Sequence, residues 1–149
     1  MKTPELIYTW AELKAVQDRI AEIEKETDAI SDLLSRERRD ATEEERLRRN
    51  ALWDEYHELD GKRDIMRRQV IPEVGMPCTV IYYSDRSAGY VAEIPSPKTI
   101  VVQQDGLYHG RKVYTLRSNG KWIQKGTTSK DWGTICHLGY RSDYYDPEY

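Results

Sequence analysis

Seam positions recur through the first part of the chain at Leu6, Trp10, Leu13, Val16, Ile20, Ile23, Thr27, Ile30 and Leu34. From Val16 onward the steps alternate between four and three residues, the heptad seam of paired helices rather than a broad globular face. Consecutive three-residue steps at Trp10, Leu13 and Val16 interrupt that seam, as a stammer does. Thr3 followed by Pro4 predicts a helix N-cap and first turn. The stretch from Ser35 to Ala41 has no apolar period and reads as a turn, and Thr42 with Glu45 forms a capping box that restarts a helix. The second seam runs Leu52, Tyr56, Leu59, Arg63, Met66, Val70 and stops at Ile71-Pro72. The pattern predicts an antiparallel hairpin of helices whose narrow apolar stripe is also open to a second chain.

Beyond Pro72 the period shortens. Thr79–Tyr83, Tyr90–Ile94, Thr99–Gln103, Val113–Arg117, Lys121–Gln124 and Thr134–Leu138 read as strands, being rich in β-branched and aromatic residues. Ser84–Gly89 reads as a turn cluster, Pro95-Ser96-Pro97 as a break, and Asp105-Gly106 with His109-Gly110 as a loop. Asn119-Gly120 between two strand-like runs is the strongest hairpin signal. The expected fold is α+β: a coiled-coil-like helical arm over 1–71, then a β-rich ligand-binding domain over 72–149. That domain would be a small, strongly bent antiparallel sheet or partial barrel. With so small a core, association through the arm is expected to help hold the domain together.

Composition sharpens this division. Residues 1–70 hold 14 basic and 18 acidic side chains and one glycine; residues 71–149 hold 9 basic and 8 acidic, eight glycines, both cysteines and nine of eleven tyrosines. Charge runs such as Arg46-Leu47-Arg48-Arg49 read as a solvated helix face, since Glu43–Glu45 lies beside them. A net charge of -3 gives no global signature of a nucleic-acid binder. Two cysteines are too few for a disulfide scaffold, and no apolar run or signal peptide opens a route to a membrane, so a reducing cytosol is expected.

Catalytic signatures are missing: there is no P-loop, GxGxxG, GxSxG or HExxH pattern. Cys78, Cys136 and His137 offer a weak zinc set against buried structural thiols, and Cys136 with adjacent His137 would point to opposite strand faces. No enzyme, cofactor or metal is therefore expected. What remains is a binding constellation of aromatics among arginines and short polar groups. It comprises Tyr83 and Arg86 at a strand end; Tyr114, Arg117, Asn119 and Trp122 around the hairpin; and Arg141, Asp143 and Tyr144 in the tail. Aromatic faces stack on bases, guanidinium groups grip phosphates, and Asp or Asn side chains bond ribose hydroxyls. The same residues have structural readings: Tyr82, Tyr90, Tyr114 and Trp122 as core or cross-strand residues, Asp85 and Asn119 as turn formers.

Three segments carry a family resemblance: Cys78–Arg86, Tyr114–Trp122 and Arg141–Pro147. Their order, YSDR, then LRxNGxW, then RxxYYDP, resembles the phage-encoded Thoeris anti-defence sponges of the first type, over about residues 74–149. That resemblance implies a protein of the host bacterial cytoplasm that binds cyclic ADP-ribose isomers made by TIR-domain enzymes and withholds them from an effector without degrading them. It also implies interlocked dimers that assemble into hexamers, and in some members separate sites for cyclic di- or trinucleotides. Matching motifs place Arg86, Arg117, Asn119, Arg141 and Asp143 toward ligand. Arg86 and Arg141 would hold the pyrophosphate and Asp143 or Asn119 the ribose. Tyr83, Tyr114 or Trp122 would stack on adenine, at about 1–3 kcal/mol. The chain departs from the family pattern in its long arm, its short loop between Gln104 and Lys112, and its ending at Glu148-Tyr149. The alternative reading is an SH3-like adaptor, dimerised by the coiled coil, that binds nucleic acid or a protein.

Overall fold

The computed structural model describes residues 5–82, 84–126 and 134–144. The chain divides into two compact units, Lys14–Ile65 on the one hand and Met1–Leu13 with Met66–Tyr149 on the other.

Helix α1 spans Trp10–Glu37 and helix α2 Glu43–Gln69. The N-cap expected at Thr3–Pro4 lies outside the described residues, and α1 starts later than the seam suggests. Its start is a reciprocal capping box in which Thr9 Oγ1 accepts the Glu12 N–H at 3.1 Å and Glu12 Oε1 accepts the Thr9 N–H at 3.2 Å. Ahead of it the chain is extended: Ile7 and Tyr8 donate to the Gln69 carbonyl, and Ile71 donates to Tyr8. Leu6 therefore belongs to this extended segment and not to the helical seam. The restart at Thr42 and Glu45 is as expected, with mutual bonds of 2.9 and 3.1 Å. Glu45 also receives the Arg39 guanidinium at 2.6 Å, and Arg39 first, then the Thr42 N–H, holds its carboxyl at about 2.

Within Lys14–Ile65 the seam buries Ile20, Ile23 and Leu52. Ion pairs flank it: Arg19 meets Glu55 at 2.6 and 2.8 Å, and Arg48 meets Glu26 at 2.9 and 3.0 Å. As one partner advances from 19 to 26 the other retreats from 55 to 48, which is the antiparallel hairpin.

The second unit is built on six strands: β1 Pro77–Ile81, β2 Arg86–Ser96, β3 Thr99–Gln104, β4 Gly110–Leu116, β5 Trp122–Gln124 and β6 Ile135–Leu138. Each pairs antiparallel with the next, and β6 returns to β1, so the sheet closes into a complete barrel. Closure removes the exposed edges that a bent open sheet would leave. Alternation along the strands aims Cys78, Val80, Val91, Ile100, Val102, Tyr114, Leu116, Trp122, Cys136 and Leu138 inward, all buried.

One expected turn is a strand instead. Arg86–Gly89 opens β2 because Gly89 serves a close approach: a Cβ there would lie 2.4 Å from the Gln103 carbonyl oxygen. The turns fall at two barrel ends. The β1–β2 turn and the β3–β4 connection, with its 3-10 turn Gly106–Tyr108, share one end, called here the Tyr82 end. The β2–β3 turn and the β4–β5 hairpin share the other, the Asn119 end.

A candidate ligand site at one end of the barrel

At the Tyr82 end, strand β3 turns away after Gln104, which pairs with Gly89. On the β3 side of β2 beyond that point the Asp105 N–H still reaches the Ala88 carbonyl at 3.0 Å, but the Ala88 N–H and the Arg86 backbone need other partners. Residues 140–144 supply the missing partners by crossing the outer face of β1 and β2. Thr79, outward yet 0% exposed, donates through Oγ1 to the Tyr140 carbonyl at 2.7 Å. The Asp143 carboxylate accepts the Ala88 N–H at 2.8 Å. Arg86 and Tyr144 exchange both backbone hydrogen bonds, at 2.7 and 2.9 Å, as a short added strand would. Arg141 Nη2 then reaches Asp105 Oδ2 at 2.8 Å, fastening this strap to the β3–β4 connection.

Beside the strap lies an aromatic pair. The rings of Tyr82 and Tyr108 stack with centroids 4.0 Å apart and planes within 17°. The Tyr108 hydroxyl donates to Asp85, whose carbonyl also accepts the Tyr82 N–H at 2.9 Å. The Tyr82 hydroxyl accepts Gln104 Nε2 at 2.6 Å and Lys112 Nζ at 3.4 Å, and that ammonium sits 5.4 Å from the Tyr82 ring centroid. Stacked phenols, a cation over one of them and two guanidinium groups nearby make a surface suited to flat rings with negative charge.

A second polar group occupies the outer wall. His137 Nδ1 and the Tyr140 hydroxyl are 2.8 Å apart, and the Arg67 guanidinium lies 4.1 Å over the Tyr140 ring. Loss of solvent, then the charges of Arg86, Arg67 and Lys121, hold the His137 pKa below its ordinary value. Burial likewise pushes the Tyr140 phenol up.

Of the residues expected to face a ligand, Arg86, Arg141, Asp143 and Tyr144 converge at the Tyr82 end. Tyr83 lies outside the described residues. Arg117 and Asn119 stand at the Asn119 end: Asn119 Oδ1 accepts the Lys121 N–H at 3.0 Å, a turn-forming role, and Arg117 Nε donates to Thr115 Oγ1 at 3.0 Å. Tyr114 and Trp122 are inward core residues, 0% and 5% exposed, so neither ring offers a surface face for stacking. Cys78 and Cys136 are buried free thiols, and the hydrogen bond between them, then burial, pushes the Cys136 thiol well up. His137 points outward while Cys136 points inward, and among the described residues no cluster suits a metal ion. No helix there is long and apolar enough to cross a membrane.

Sequence reasoning passed over Gln104, Tyr108 and Lys112. A signal was present for two of them. Counting by twos from Ile100 and Val102 puts Gln104 on the inward face, and counting back from Tyr114 puts Lys112 there. Polar residues on an apolar face mark a place where the core is not purely a core. Comparison of the chain with family models, curated proteins and solved structures finds no match.

Proposed function

We propose that this protein binds a nucleotide-derived signal of the cyclic ADP-ribose class and holds it intact, as a phage anti-defence sponge. The observation that carries the reading is the meeting, at the Tyr82 end, of two motifs far apart in sequence. Arg86 from the first motif and Tyr144 from the third share a β-bridge, with Arg141 and Asp143 beside it. Guanidinium groups there meet a pyrophosphate, and the exposed Tyr144 ring and the Tyr82–Tyr108 pair offer aromatic faces to a base. Sequestration requires no nucleophile, base or metal, only sites in excess of the signal and a Kd below the effector's threshold. Arg117 and Asn119 lie at the far end of the same barrel. Their part in one ligand site calls for a second copy of the chain, in keeping with a homo-oligomer.

The test is isothermal titration with a cyclic ADP-ribose made by a TIR-domain enzyme, then heat denaturation and chromatography of the released ligand. Tight binding with intact ligand recovered, and weakening by about ten-fold or more in Arg86→Ala, is the expected result. Loss of the ligand to new products would make the protein an enzyme, and no binding at all would overturn the reading.

A further inference from the structure

A second stripe runs along α2, beside the seam that packs on α1. Steps of three and four residues keep Arg46, Arg49, Trp53, His57, Asp60 and Asp64 on one side of the helix. The seam lies on another side: Leu52 is buried there, and Arg48 and Glu55 reach across to Glu26 and Arg19. In the stripe Trp53 is 55% exposed; Arg46, His57 and Asp64 are exposed, Arg49 and Asp60 half-buried. The Trp53 ring is already set in place. It stacks on Tyr56 with centroids 5.5 Å apart and planes within 7°, and His57 meets it edge-on at 4.6 Å. Aromatic rings fixed in this way on the open side of a helix lose little freedom when a partner covers them.

We infer that this stripe is where a second copy of the chain docks, its α2 antiparallel to the first. The stripe is basic at its N-terminal end, aromatic in the middle and acidic at its C-terminal end. Turned about a two-fold axis level with Glu55, it meets itself in register. Arg46 falls opposite Asp64, Arg49 opposite Asp60 and Trp53 opposite His57, and each pair occurs twice. A parallel copy would set arginine on arginine. A nucleic-acid strand fits worse, because Asp60 and Asp64 would repel its phosphates. Asp60 also holds Arg63 of its own helix, so Arg46–Asp64 is the cleaner pair to test. The charges set the orientation, and the indoles supply most of the affinity. From 46 to 64 the helix runs about 27 Å, which places the contact at the low end of specific interfaces, below about 1,200 Å², so pairing should dissociate on dilution. Each hairpin stays closed on its own seam, so pairing requires no exchange of helices, and the inference is independent of any ligand.

Sedimentation velocity of the full chain over a series of concentrations measures the pairing, with melting followed by circular dichroism as the check on folding. Arg46→Glu sets like charges against each other in two places across the axis, and so does Asp64→Arg. Each alone is expected to weaken association by about ten-fold. Mixed one to one, the two variants regain opposite charges in both places, so association is expected to return to the wild-type strength. Trp53→Ala is expected to weaken it by about ten-fold or more while the helical signal and melting temperature stay near those of the wild type. A wild type that stays monomeric up to about 100 μM overturns the inference. So does association that neither charge variant weakens, which would place the contact between copies on another surface. Loss in both variants that mixing does not recover also overturns it, since the substitutions would then act on the hairpin itself.

Discussion

The helical hairpin and the barrel bury their apolar residues in different ways. Between Lys14 and Ile65 a single narrow seam is closed, flanked at the surface by Arg19–Glu55 and Arg48–Glu26, and one seam atom, Arg63 Nε, is buried without a partner among the described residues. The barrel closes on itself, fills its interior row by row, and still encloses Gln104 and Tyr114 with polar atoms unpaired. The contrast lies in where the unpaired atoms sit: in the hairpin on an arginine that still pairs with Asp60, in the barrel on two side chains that are 0% exposed.

The same truncation in each region tests that contrast most strongly. Ile100→Ala, in the closed interior, should cost about 4 kcal/mol, because no strand can move in to fill the space. Ile23→Ala, in the seam between two helices that can shift together, should cost nearer to about 2 kcal/mol. Urea unfolding followed by circular dichroism measures both, and equal losses would show that the barrel yields as readily as the hairpin. Next in size is Gly89→Ala. Its Cβ meets backbone and not a flexible side chain, so β2 and β3 must part, at about 2–3 kcal/mol. The hairpin offers a smaller lever: Thr42→Ala removes one half of the α2 capping box and should cost about 1 kcal/mol, read as a lower melting temperature of the helical signal.

These sites also show what could be read from the amino acids alone. The hairpin was legible because heptad steps and the Thr42–Glu45 box are local patterns, each contained within a few residues. The start of α1 was not, because Thr9–Glu12 is a capping box that the apolar step from Leu6 to Trp10 masks, and the extended pairing of Tyr8 with Val70 spans the whole hairpin. Strand positions were legible; closure was not, since it depends on β6 meeting β1 across more than fifty residues. Gly89 resembled a turn glycine because nothing in its neighbours reveals that Gln103 will press against it. Arg86, Arg141, Asp143 and Tyr144 could be singled out by residue type, but only the strap places them together. Tyr114 and Trp122 were ambiguous between core and site, and inward strand parity decides for the core.

The smallest effect lies on the outer wall of the barrel, at His137. Its pKa is lowered in the folded chain by loss of solvent and by Arg86 of β2, Arg67 of α2 and Lys121, with the Tyr140 hydroxyl against Nδ1. A base whose folded pKa lies below its unfolded value binds fewer protons folded than unfolded, so stability rises with pH across that interval. The contribution is fully present above the ordinary histidine value near 6.5 and is lost as pH falls toward and through the lower folded value. His137→Gln keeps a hydrogen-bonding side chain and removes the titration. Between about pH 7.5 and pH 5 the variant should lose less melting temperature than the wild type, and Arg86→Ala should narrow the wild-type loss in the same direction. Identical pH profiles in wild type and His137→Gln would mean that the three cations do not act on the ring, and would separate Arg86 as a ligand contact from Arg86 as a neighbour of His137.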